Sequence, residues 1–179
     1  MKNILTLLLC VTIICLSINC SAQPPQDGEN RLNNNINKFI GTWNWSSGNN
    51  SLQLKFKKEN IKNQYLSFDY REDMLIGFHK YINNGNTIEN STQYSNTSYL
   101  DGKSTIYGST KNGNPNQFTG LIQHLSKNKS IWFTIEYIDA THIKLVEFKN
   151  TAGIKLRKPN DPPFDGTITL PQNIILTKQ

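Results

Sequence analysis

Cysteine is almost missing: three of the 179 residues are Cys, at positions 10, 15 and 20, and none follows. The remaining chain can have no disulfide, no thiol nucleophile and no cysteine zinc site, so its core alone must hold it together. Long apolar runs are equally scarce. The only one, Ile4 to Ile18, falls short of the ~20 residues a membrane span requires. H-E-x-x-H, G-x-S-x-G, the P-loop and the dinucleotide fingerprint are all lacking, which removes the commonest signatures of catalysis. There is no nucleic-acid recognition motif either.

What is present begins with Lys2, the apolar run and the small residues Cys20, Ser21 and Ala22. This is the pattern of a secretory signal peptide over residues 1–22, with cleavage before Gln23. The mature protein is expected to be exported, periplasmic or extracellular. The alternative is a lipid anchor on Cys20, although Asn19 and Ser17 stand where a lipoprotein box would have a small residue and Leu. Removing Lys2 from the 19 basic residues leaves 18 against 13 acidic ones, a net charge of +5. The excess is scattered. Only Lys55, Lys57, Lys58 and Lys62 cluster, and Lys55 and Lys57 alternate with Leu54 and Phe56 as the solvent face of a strand does.

A polar linker, residues 23–28 with Pro24 and Pro25, leads into a short helix. Asp27 is its expected cap and Leu32, Ile36, Phe39 and Ile40 its apolar stripe. From Trp43 the hydrophobic period changes to two. Leu52, Leu54 and Phe56 alternate with polar residues, as do Leu66, Phe68 and Tyr70. FDYREDM, residues 68–74, reads as a charged turn with Arg71 as internal counterion. MLIGFHKYIN then runs into Asn84-Gly85, a strong hairpin signal, and INNGNTIENS provides the return strand. Further turns are expected at Asn112-Gly113, at 127–129 and at Asp139-Ala140. The prolines of KPNDPPFDG, residues 158–166, force a long surface connection before a final strand from Ile174 to Lys178. That strand is well placed to pair with the first and close the sheet.

Gly41-Thr42-Trp43 at the head of the first strand, preceded by Phe39-Ile40 and followed by consecutive hairpins, resembles the lipocalin-like, or calycin, barrels. Two lipocalin features are missing: a T-D-Y motif on a central strand, and a late arginine against the tryptophan, Arg157 being the only arginine late in the chain. FIGTWNW, the hairpin GFHKYINNGNTIENS, STIYGS and LPQNIILTKQ also resemble a domain-of-unknown-function family of small secreted bacterial proteins over nearly the whole chain. The resemblance brings no activity. The expected fold is all-β: an antiparallel up-and-down meander closing into a lipocalin-like β-barrel of about 8 to 10 strands. A short N-terminal helix caps one end, and residues 29–179 form a single domain.

Several side chains are candidates for chemistry. His79, His124 and His142 stand on separate strands, and lone strand histidines are more often hydrogen-bonded structural residues than metal ligands. Asp69, Glu72 and Asp73 offer carboxylates but no visible cleft. Asn160, Asp161 and Asp165 lack the spacing of a calcium loop. No catalytic residue, metal or cofactor is expected. The aromatics say more. Phe56, Phe68, Tyr70, Phe78 and Phe133 are expected to face inward, and Trp43 and Trp45 share one face. Gly41 and Trp43 read as a structural staple at the barrel end; Trp45, Tyr70, Phe78 and Phe133 are the candidate walls of a ligand cavity. The expected function is a non-enzymatic barrel holding a small apolar or amphipathic ligand. The alternative is a filled barrel that contacts a cell-envelope protein or glycan through the loops at 83–98 and 109–117, with Tyr94, Tyr99 and Tyr107 exposed.

Overall fold

A computed structural model describes residues 24–111, 113–152 and 165–179. Residues 1–23, which include the expected signal peptide and Cys20, and residues 153–164 with Arg157, Asn160 and Asp161, lie outside the described residues. The described strands are β1 (Asn30–Arg31), β2 (Gly41–Ser47), β3 (Asn50–Tyr65), β4 (Phe68–Asn83), β5 (Asn86–Asn90), β6 (Ile106–Lys111), β7 (Asn114–His124), β8 (Lys129–Tyr137), β9 (His142–Asn150) and β10 (Ile174–Lys178). Eight of them close an antiparallel barrel in the order β2-β3-β4-β6-β7-β8-β9-β10. The seam is the pairing of β10 with β2, Thr177 opposite Asn44 and Lys178 opposite Trp43, as expected of a late strand that returns to the first.

One long strand, β4, organises the barrel. Its first edge pairs with β3 along its whole length, from Tyr65↔Phe68 to Ser51↔Ile82. Its second edge serves three segments in turn: β1 in parallel at Arg71 and Glu72, β6 at Leu75 to Gly77, and β5 at Lys80 to Asn83. The β4–β5 hairpin turns on Asn84 and Gly85, both at positive φ (50° and 79°), the two-residue turn that Asn-Gly favours.

Two expectations are corrected. FDYREDM is strand, not turn; the chain reverses at Leu66, which has φ 54°. The charges are tolerated because β3 supplies partners across the ladder: Lys58 reaches Asp73 at 2.7 Å, Lys62 reaches Asp69 at 2.6 Å, and Arg71 donates to Asn60. The N-terminal helix is a single 3-10 helix, Asn34–Phe39, capped by Asn33 rather than Asp27. Four asparagines at positions 33, 34, 35 and 37 weaken an α-helix. With three residues per turn the 3-10 form instead aligns Ile36 with Phe39, and both are buried while Leu32 is exposed.

The core lies inside the barrel. Inward residues alternate along every strand: Leu52, Leu54 and Phe56 on β3, Phe118 and Ile122 on β7, Ile131, Phe133 and Ile135 on β8. Phe118 sits at the centre of an aromatic cluster, its ring 4.9 Å from Phe133, 5.4 Å from Phe56 and 5.5 Å from Phe39. The 3-10 helix plugs one end above these rings.

Candidate functional site

The described side chains of the barrel core are closely packed. Leu54, Phe56, Ile106, Ile122, Phe133 and Phe148 are among the side chains around an internal void of only ≈ 10 Å³. Phe133, expected as a cavity wall, is part of this filled core. Phe78 and Tyr70, expected to face inward, do not. Phe78 pairs with Lys55 and Tyr70 with Asn63, both on the outer side of the ladder, whereas Gly77 and His79 take the inner positions opposite Phe56 and Leu54. Phe78 and Ile76 are nevertheless buried, because the segment between β5 and β6 lies over that outer face. Lys55 holds the segment through Ser95 Oγ at 2.9 Å, Lys57 donates to the Thr97 carbonyl, and Glu59 accepts from the Tyr99 amide at 2.8 Å. These lysines are pins for a covering segment rather than a solvated strand face.

Trp43 is fully buried, and its indole N–H donates to the Phe39 carbonyl at 2.8 Å, fastening the helix to β2. Gly41 sits at φ +131°, a conformation that side chains resist. Trp45, partly buried, borders a groove of ≈ 390 Å³ with Asn44, Ile175 and Thr177. Nδ2 of Asn44 is buried with no hydrogen-bond partner among the described residues.

At the end opposite the helix, sequence reasoning missed a buried ionic cluster. His79, Glu89 and His124 have no exposed side-chain surface. Glu89 accepts from His79 Nε2 at 2.7 Å, from His124 Nδ1 at 2.5 Å, from the Ser126 hydroxyl at 2.6 Å and from the amides of Leu125 and Ser126. Burial alone would push this carboxyl up, but the His79 and Ser126 donors outweigh it and hold it at about 2. His124 goes the other way: burial pushes its imidazole below the ordinary 6.5 despite Glu89, with Lys129 and His79 adding to the depression. His79 Nδ1 continues the network to Thr105 and Ser91. Both carboxylate oxygens are saturated and no opening reaches them, so the arrangement suits a structural tie better than proton transfer to a substrate. The third histidine, His142, stands apart, exposed and bonded to Asp139. Among the described residues no group of three His, Cys, Asp or Glu side chains is arranged to hold a metal ion.

Among the described residues, the other carboxylates singled out in the sequence are also engaged, Glu72 accepting from Asn63 at 2.7 Å. Asp73, buried beside a polar groove of ≈ 420 Å³, accepts from Lys58, from the Asn33 amide and from Asn60. Glu72, on the same groove, is raised by burial. Asp69 pairs with Lys62, and Asp165 with Lys127 at 2.6 Å.

The feature without an internal purpose lies on the outer wall. Strand register aligns Tyr107 on β6, Leu121 on β7 and Trp132 on β8 as direct cross-strand neighbours pointing away from the core. Trp132 is 49% exposed and Tyr107 37%, while the inward residues beside them, Ile131, Phe133 and Ile106, are buried. Partial burial, with Tyr99 nearby, pushes the Tyr107 phenol up. Ser109, Thr119 and Thr134 form a parallel row on one side, and Gln123, bonded to Ser130 at 2.9 Å, stands on the other.

A family model described as a family of unknown function, DUF6705, matches residues 1–179. The chain belongs to that family. Neither the curated proteins nor the solved structures contain a significant match. Membership of DUF6705 brings no activity with it, so the chemistry has to be read from these side chains. Trp132 was legible in SIWFTIEYI, where Ile131, Phe133 and Ile135 claim the inner face and leave the tryptophan outside. Glu89 gave no such signal, because nothing local distinguishes it from a solvated hairpin acid.

Proposed function

We propose that this DUF6705 protein is an exported, non-enzymatic binding module of lipocalin-like type that holds a cell-envelope component against the outer face of β6, β7 and β8. The observation carrying this reading is the exposure of Trp132 and Tyr107 in one row over a filled barrel. An interior void of ≈ 10 Å³ is far below the ~300 Å³ of a small-molecule site, which weighs against a carrier of apolar ligands. Large aromatic side chains aligned in one row and left half in water are a usual sign of a contact surface. Export rests on the signal pattern of residues 1–22.

The test is co-sedimentation of the purified mature protein with envelope fragments from the cells that make it. Wild type is expected in the pellet and Trp132→Ser in the supernatant, both with the same unfolding midpoint. Equal sedimentation of the two would overturn the reading. The mass of the mature chain tests export separately: cleavage after Ala22 gives a bare polypeptide beginning at Gln23, and lipidation gives an acylated Cys20.

A further inference from the structure

Resting on that reading, we infer that the row Tyr107–Leu121–Trp132 is a platform for an uncharged polysaccharide chain lying across the strands. Neighbouring strands are about 4.8 Å apart, so Tyr107 and Trp132, two strands apart, stand about 10 Å from each other. This is roughly the reach of two successive sugar rings. A pyranose presents an apolar C–H face, which packs flat on an aromatic ring, and a rim of hydroxyls that needs polar partners. Both are provided: aromatic and aliphatic surface along the row, and beside it the hydroxyls of Thr119 and Thr134 and the amide of Gln123.

Charge decides against other occupants. Tyr107, Leu121 and Trp132 and the polar residues flanking them on β6, β7 and β8 are all uncharged; the row runs into Lys149 on β9, directly opposite Trp132 and neutralised by Glu147 at 2.7 Å, and beyond Thr134 stands Glu136. An acidic polymer would find one cation at the end of the row, already bound to Glu147, and a basic one no anion beside Tyr107 or Leu121, so neither sign of charge is matched along the row. A protein partner would instead be expected to find a recess for its anchoring side chains, and the row lies on the convex outside of a barrel. A linear neutral chain needs no recess.

The probes are cellohexaose and chitohexaose, two neutral β-linked oligosaccharides, titrated into the folded mature protein and followed by the indole N–H resonances of its tryptophans. Binding is expected to move the Trp132 signal with either sugar and leave that of buried Trp43 in place. Trp132→Ala and Tyr107→Ala should each weaken binding at least tenfold. Ile175→Ala, an exposed change on β10, should not alter it. Because Trp132 is half-exposed, its variant should keep the wild-type unfolding midpoint, which separates lost binding from lost fold. No shift with either sugar at millimolar concentration would overturn the inference, as would shifts at Trp45 instead, or a Trp132-dependent dimer by sedimentation. If the sugars fail while envelope sedimentation still depends on Trp132, the platform is not for neutral glycans but the binding module stands. If neither depends on Trp132, both readings fall.

Discussion

The backbone amide of Thr169 donates to Nε2 of His124 at 3.1 Å, so this ring nitrogen carries no proton and the imidazole is neutral. Its other nitrogen, Nδ1, donates to Glu89. The segment Thr167 to Leu170 is thereby tied over the barrel end, aided by Lys129, whose ammonium donates to the Asp165 and Thr167 carbonyls.

This geometry makes stability fall with acidification in two stages. Below pH 6.5 the unfolded chain protonates His124, whereas in the folded chain burial, with Lys129 and His79 nearby, opposes it; stability present above 6.5 is lost as pH falls. Glu89, depressed from 4.5 to about 2, adds a second loss between those values, worth on the order of 3 kcal/mol. Urea midpoints measured from pH 7.5 to 3.5 should decline from near 6.5 and steepen below 4.5. A flat midpoint between 7.5 and 5 would mean that His124 is not held neutral.

Glu89→Ala should be among the costliest single changes. It strands the N–H groups of His79, His124, Leu125 and Ser126 in a buried space, for a loss of about 3–5 kcal/mol. Equilibrium urea unfolding measures it, and a loss under about 1 kcal/mol would show that water replaces the carboxylate.

Gly41→Ala tests the entry to β2. Its φ of +131° is strained for any side chain, and a Cβ there would stand 2.8 Å from Cε of Lys178. Lysine ends move easily, so the backbone sets the cost, about 1–3 kcal/mol. The double variant with Lys178→Ala should recover almost nothing in thermal unfolding; full recovery would assign the cost to the clash.

Gly108 and Gly120 face each other across β6 and β7, and a Cβ on either would run into the other strand's backbone. Their bareness also leaves the interior to the Phe118 ring, which a Cβ on Gly108 would meet at 2.9 Å. Gly108→Ala should therefore loosen the β6–β7 ladder, seen as faster amide exchange at residues 118–122 than in β3. Unchanged protection there would mean that the strands can shift to admit a methyl group.

Much of this architecture is legible in the sequence. Asn84-Gly85 fixes a hairpin by its φ requirements, and Ile174 to Lys178 is the closing strand. The errors have a common physical origin in long-range partners. FDYREDM reads as a turn until Lys58 and Lys62 on β3 provide its counterions. MLIGFHKYIN is apolar on both faces, so its period cannot tell which face is inside; the cover over Ile76 and Phe78 comes from residues beyond β5. The Glu89 cluster joins residues from β4, β5 and β7 that no local pattern links.

The seam between β2 and β10 joins segments near opposite ends of the described chain, whereas β3 and β4 need only a tight reversal at Leu66. Closing the larger loop carries the greater entropic cost, so the hairpin forms early and the seam late. Until then β2 and β10 each present an unpaired edge to other chains. Crowded newly made copies should thus be most prone to aggregate before the seam has closed, and dilution during refolding should raise the yield.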